Sequence, residues 1–176
     1  LNQPDFGFSK SSEETLDPKK NFWDRSAALE RLVRIIRLVQ PEIILTRHDP
    51  NGTDHGHHVA TAQILYEAFE AAASPARFPE QIAKEGLSAW QSTKLYRAIP
   101  IGQEATLELD LSVRDPLSNS CPAELAAWAL ARHRSQGMDP LRWAGEKEVR
   151  RLLLAKTRLP GTGPEHSPLD GFPALG

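Results

Sequence analysis

Four of the six histidines of this chain fall within eleven residues, inside the run Arg47-His48-Asp49-Pro50-Asn51-Gly52-Thr53-Asp54-His55-Gly56-His57-His58. Imidazole is the commonest metal ligand and the side chain whose proton moves most readily near neutral pH. The run could therefore hold a metal ion, shuttle a proton, or do both. If Asp54 or a neighbour caps a helix starting here, His55 and His58 share one face of its first turn, and His57 points elsewhere. One histidine could then ligate a metal while the other reaches a substrate on the same side. Two histidines do not complete a catalytic zinc site, which takes three protein ligands and leaves a position open for water. The same letters also read as a solvated polar loop, because Asp-Pro-Asn-Gly is favourable turn chemistry. Spacing leaves both readings open.

The elements around the run place it. The apolar stretch Pro41-Glu42-Ile43-Ile44-Leu45-Thr46 precedes it and reads as a short buried strand, too short for a helix after that proline. A helical pattern follows from about His57 to Ala73, with Ala60, Ile64, Ala68 and Ala71 on a shallow apolar face. Strand, polar loop, helix start is the arrangement that puts ligands at the carboxyl ends of strands in open α/β sheets. Upstream, a helix is expected from about Phe22 to Val39. It has Leu29, Leu32, Val33, Ile36 and Val39 inward and Arg31, Arg34 and Arg37 toward water. Gln40-Pro41 stops it. Residues 1–20 read as loop. Residues 75–92 are irregular, with a possible short helix before Gly86. Strands are expected at Lys94–Ile99 and Ala105–Val113, and helices at about Pro122–Ser135 and Glu146–Lys156. From Leu159 on, Pro and Gly dominate, and a poorly ordered tail is expected.

Composition narrows the classes. With 176 residues, 40% hydrophobic and 25% charged, the chain is long enough for one globular domain with a core. A formal net charge of −2 offers no electrostatic reason to expect nucleic acid or an anionic membrane as partner. Cys121 is the one cysteine, so an internal disulfide is excluded and the redox compartment stays open. No apolar run approaches the roughly 20 residues of a membrane span. The chain begins at Leu1, not methionine, and a doubly wound sheet needs more parallel strands than the pattern supplies. An N-terminally incomplete piece is therefore expected, which leaves localisation, cytoplasmic or exported, and oligomeric state open.

Several segments together resemble the PIG-L (LmbE-like) family of zinc-dependent N-acetyl-sugar deacetylases, in its larger bacterial branch. They are Pro4-Asp5-Phe6-Gly7-Phe8-Ser9-Lys10 with Glu13-Glu14-Thr15-Leu16, Val33-Arg34-Ile35-Ile36-Arg37 through Arg47, and His55 with Gly56-His57-His58-Val59-Ala60. The Phe78-Pro79 and Trp90 region and His133-Arg134-Ser135-Gln136-Gly137-Met138 complete the set. The similarity covers most of residues 4 to 138. It implies a partial Rossmann-like α/β fold, a three-layer sheet with helices on both faces and the first strand–helix unit missing. It implies a deacetylase domain over residues 1–158, with 159–176 as the Pro/Gly-rich tail. It also implies a hydrolase cleaving the amide C–N bond of an N-acetylglucosamine-type sugar or glycoconjugate. In such proteins a His-x-x-Asp motif after the first strand supplies two zinc ligands and a general base. The last histidine of a His-x-x-His motif, matching His58, is the third ligand. The first histidine of that motif, matching His55, polarises or protonates the substrate carbonyl as it becomes an oxyanion. That division is physically coherent: zinc lowers the pKa of bound water, a carboxylate takes the proton, and an imidazole stabilises the oxyanion. Asp5 matches an acidic position that contacts sugar hydroxyls, or it is a loop aspartate capping a turn.

One departure is large. No His-x-x-Asp motif of that kind exists in these residues, and His48-Asp49-Pro50 holds similar letters in the wrong order and on the wrong loop. Two zinc ligands are thus expected upstream of Leu1, and the chain by itself is expected to be inactive. Other candidates divide in the same way. Arg47 binds a sugar or phosphate oxygen, or pairs with Asp49 or Asp54. His133 borders the substrate pocket, or completes a cationic helix C-terminus ahead of Gly137. Trp23, Trp90, Trp128 and Trp143 stack on sugar rings or fill core, and Cys121 reads as a small buried hydrophobe. Three functions compete: an amide hydrolase, a non-catalytic remnant binding carbohydrate or a partner protein, and a nucleotide hydrolase or transferase with alternating histidines. The last needs a histidine at position 59, which is Val59, and fails.

Overall fold

The computed structural model describes residues 3, 7–20, 22–134, 137–138, 141–161 and 163–173. Its elements in chain order are α1 (Ser12–Thr15), α2 (Arg25–Val39), β1 (Ile43–Thr46), α3 (Gly56–Ala71) and α4 (Pro79–Ala83). Then follow β2 (Lys94–Ala98), β3 (Leu107–Asp110), α5 (Pro122–Leu130) and β4 (Val149–Thr157). The strands form one mixed sheet in the order β1-β2-β4-β3. β1 runs parallel to β2, with Ile44 opposite Leu95, and β4 lies antiparallel to both β2 and β3. The chain is therefore an α/β protein with its parallel pair at one side of the sheet.

Each helix begins where its capping chemistry allows. Asp24 accepts the Ala27 amide at 3.0 Å and opens α2; Gln40, in the left-handed region at φ 53°, closes it before Pro41. Val33 and Ile36 of α2 meet Ile64 and Ala68 of α3, all essentially excluded from water. The small residues along α3 let the two helices approach closely, with Ile44 of β1 and Trp90 packed at the edge. A second cluster lies within the sheet, where Tyr96, Leu107 and Leu152 stack across three strands.

Three sequence expectations change here. The 146–156 helix is instead β4, a central strand. Its Leu, Arg and Lys content favours helix, but Leu152 reaches the sheet core opposite Leu107 and Ala98, and this non-local pairing overrides intrinsic propensity. The first twenty residues are not all loop: Ser11 accepts the Glu14 amide at 3.2 Å, and Glu14 accepts the Lys10 amide at 2.8 Å, a reciprocal cap that holds α1. Arg37 does not face water. It is buried and donates to the carbonyls of Ala72 (3.2 Å), Ser74 (2.8 Å), Arg77 (2.8 Å) and Phe78 (3.2 Å), and to Gln81 Oε1 (3.1 Å).

Beyond β4, the Pro/Gly-rich segment makes specific contacts with the sheet. The Lys94 ammonium, buried on β2, donates to Glu165 at 2.6 Å and to the carbonyls of Pro168 (3.1 Å) and Asp170 (2.6 Å). Tyr96 also donates to Glu165. Burial, and then that carboxylate, push the Tyr96 phenol well above its ordinary pKa.

Candidate functional site

β1 ends at Thr46, and the chain turns over residues 47–55 before α3. The turn is built as its letters suggest: Asp49 accepts the Asn51 amide at 2.9 Å through its side chain and the Gly52 amide at 3.1 Å through its carbonyl. Gln63 donates to the Pro50 carbonyl at 3.0 Å and ties the loop to α3. The cap of α3 is His55, not Asp54: its Nδ1 accepts the His57 amide at 3.3 Å. The next residue must be glycine, because a Cβ at Gly56 would overlap the Ser11 carbonyl and Ser9 Oγ. The Gly56 amide donates to the Ser9 carbonyl at 2.9 Å, pinning residues 8–11 over the helix start, where the Phe8 ring meets the His55 ring edge-on at 4.6 Å.

The structure brings together four imidazoles. His55 stacks on His57 with ring centroids 4.4 Å apart, His58 stacks on His48 at 4.0 Å, and His55 lies 5.5 Å from His58. His57 is thus not turned away as the spacing suggests; its Nδ1 lies 2.8 Å from that of His55. Since His55 Nδ1 already accepts the His57 amide, it takes the acceptor role in this pair as well. The neutral His55 ring then carries its proton on Nε2, free to donate. The helix start adds positive potential at the same place. A hydrogen-bond donor is therefore preset at the carboxyl end of a strand.

His58 is open to solvent over much of its surface, yet its pKa lies below the ordinary 6.5. Desolvation of the ring against its neighbours is the first cause, and the His48, His55 and Arg47 charges add to it against the opposing pull of Asp54. Unfolded His58 takes its proton before the folded residue does, so this residue lowers stability as pH falls through about 6.5 and leaves it unchanged above. A proton NMR titration with chelator present should show a His58 midpoint below 6.5 that rises in His48→Gln; a midpoint at or above 6.5 would contradict the stacking.

The donor set does not make a zinc site. Among the described residues, no group of three His, Cys, Asp or Glu side chains is placed to hold a metal ion. The reason is visible: His48 and His58 meet face to face, 18° from parallel, so their contact is between rings and not lone pairs aimed at one point. His58 offers one ligand, uncharged above mildly acidic pH. Of the carboxylates on this loop, Asp49 is paired with Arg97 at 2.7 Å, and Asp54 faces His48 at 3.8 Å.

Arg47 follows β1 directly and lines a cavity of about 490 Å³ at the carboxyl ends of β1 and β2, pairing with neither Asp49 nor Asp54. α5 ends at Leu130, short of His133, which is exposed, lies 3.2 Å from the Leu130 carbonyl through Nδ1 and does not line that cavity. Asp5 lies outside the described residues. Cys121 is buried, as a small hydrophobe would be. Arg97 and Arg150, which also line the cavity, were not singled out by the sequence. Neither sits in a motif, and strand pairing alone brings them beside Arg47.

An α/β chain with an imidazole cluster at a strand's carboxyl end belongs, in architecture, among site-bearing open-sheet proteins. No family model matches the chain. Curated relatives do. The chain is 34% identical over 116 residues to a 1D-myo-inositol 2-acetamido-2-deoxy-alpha-D-glucopyranoside deacetylase of Frankia alni, covering 64% of this chain and 37% of that protein. A deacetylase of the same name from Thermobispora bispora is 37% identical over 78 residues, 43% of this chain and 23% of the relative. A mycothiol S-conjugate amidase of Streptomyces coelicolor is 37% identical over 73 residues, 42% of this chain and 24% of the relative. The chain is a homologue of sugar deacetylases, which bears out its resemblance to the PIG-L (LmbE-like) family. It spans little more than a third of the length of the first of these relatives.

Proposed function

We propose that the protein hydrolyses the acetamido group of an N-acetylglucosamine-type sugar or glycoconjugate, with water entering and acetate and a free amine leaving. The observation that carries this reading is His55, which caps α3 beside β1 through Nδ1 and so leaves Nε2 as the donor of a neutral ring, in a homologue of sugar deacetylases. A tetrahedral oxyanion forming on the acyl carbon gains most from a donor already in place, with no reorganisation needed. His57 holds the ring and its tautomer and acts as a positioning residue.

Zinc belongs to this reading, with His58 as one ligand, yet the described residues do not complete its coordination. The reading therefore needs two further ligands and a base, on a first strand–helix unit of a three-layer Rossmann-like sheet outside these 176 residues. The missing ligand set is also what favours a second reading, in which the chain binds carbohydrate without cleaving it.

The test is to assay amine release from the acetamido sugar of inositol and from N-acetylglucosamine, with added zinc, using the intact gene product and the 176-residue chain in parallel. Turnover is expected from the intact product alone. Sugar binding without turnover in both would favour the second reading. Turnover by the chain itself would show that it supplies the ligands and base assigned elsewhere.

A further inference from the structure

The cavity of about 490 Å³ beside the histidines has a lining that the amide chemistry does not use. Three arginines converge on it from three places in the fold: Arg47 from the end of β1, Arg97 from β2 and Arg150 from β4. Arg97 is the fixed member, its side chain only 15% exposed and held by Asp49 at 2.7 Å, with Tyr66 beside it. That pairing consumes the Asp49 charge. Asp54, the other carboxylate of the lining, faces His48. Among the described residues, Arg150 reaches only Glu148, at 4.0 Å, and Arg47 has neither a hydrogen bond nor an ion pair. Two guanidinium groups with little to bind thus flank a third that is held rigid.

Guanidinium offers donors and no acceptor. A neutral sugar hydroxyl can accept from a guanidinium or pair with Thr53 and Gln103 of the same lining, but it brings no charge to offset the cations. An oxyanion only accepts, and its oxygens match the guanidinium fork in pairs. We propose that this cavity binds an oxyanionic group, phosphoryl or carboxyl, carried by the sugar ligand, with Arg47 and Arg150 closing on it and Arg97 fixing the wall. The loop from Arg47 to Asp54 lines the cavity and leads directly into His55, so the anionic group and the amide would lie on opposite sides of one loop. The inference deepens the deacetylase reading, on which the identity of the rest of the ligand rests, by naming the charge of its substrate.

The experiment is a titration of the 176-residue chain at low ionic strength, followed by amide chemical shifts. The probes are N-acetylglucosamine, N-acetylglucosamine 6-phosphate, N-acetylmuramic acid and inorganic phosphate. At least one anionic sugar should bind about tenfold or more tightly than N-acetylglucosamine, with shifts at residues 47–54 and 97–103, and the preference should shrink as salt is added. Whichever of the phosphate and carboxylate sugars binds better names the group. Arg47→Gln and Arg150→Gln should each bring the anionic-to-neutral ratio down toward one; both positions are exposed, so neither change threatens the core. Equal affinity for charged and neutral sugars, no binding of any probe, or an unchanged ratio in both variants would overturn the proposal. If the preference holds while the intact product never releases amine, the anion site stands and the deacetylase reading falls. If amine is released with no charge preference, the outcome is reversed.

Discussion

Arg37→Met is expected to lower the free energy of unfolding by about 3–5 kcal/mol, read as a fall in the urea midpoint at unchanged slope. Replacing a buried ion pair by apolar groups is often neutral, because both charges leave together. Here the partners cannot leave. Arg37 is 1% exposed, and its guanidinium serves the α3 C-cap carbonyl of Ala72, the carbonyls of Ser74, Arg77 and Phe78 in the following turn, and Gln81. Methionine fills a similar volume and leaves those acceptors buried and unpaired, at about 1–3 kcal/mol for each that water cannot reach. It also removes a cation from the end of a helix, where the macrodipole favours one. Burial lowers the Arg37 pKa, with Glu80 opposing, but an arginine remains charged at any pH of interest. Arg37→Lys keeps the charge with three donors on a compact head and should fall between the two. A change of less than about 0.5 kcal/mol for Arg37→Met, the size typical of a surface substitution, would show that the carbonyls find other partners.

Arg37 also marks where sequence reasoning reached its limit. Periodicity finds α2 and its apolar stripe correctly, since Leu29, Val33 and Ile36 are a local pattern. It sends Arg37 outward because charge usually means solvent. The acceptors that make burial tolerable come from residues 71–81, and no local pattern announces them. β4 escaped for the same reason: its strand character lies in pairing with β2 and β3, fifty and forty residues away, while its own letters favour helix. The Pro41 stop, the 43–46 strand and the turn at Asp49 were legible because each rests on chemistry within a few residues. At the site, the nearness of His55 and His58 was legible from spacing. The acceptor role of His55 Nδ1 was not, because spacing named Asp54 or a neighbour as the cap without saying which, and gave no sign that a capping imidazole would draw the His57 ring to it. The arginine cavity needs three strands in register before it exists at all.

In the intact gene product, His55→Ala should cut deacetylation by about 10²–10³-fold while leaving sugar affinity nearly unchanged, the usual signature of losing one preset oxyanion donor. The donor is preset by the cap, since Nδ1 is committed to the His57 amide and ring. His57→Gln should therefore lower turnover by less, because the backbone amide of residue 57 still donates to Nδ1 and only the support of the ring is lost. His58→Ala should act differently. A site of three protein ligands that loses one loses affinity and geometry together, so this variant should carry little zinc and recover little activity when zinc is added. His55→Ala should keep its zinc. The two measurements, metal content and turnover at saturating sugar, separate the roles that proximity alone would merge, given rings only 5.5 Å apart. Equal metal content with equal residual activity in His55→Ala and His58→Ala would refute the division. Full activity in His55→Ala would leave the helix cap with a structural duty alone, and the hydrogen bond donated to the substrate carbonyl would have to come from another group.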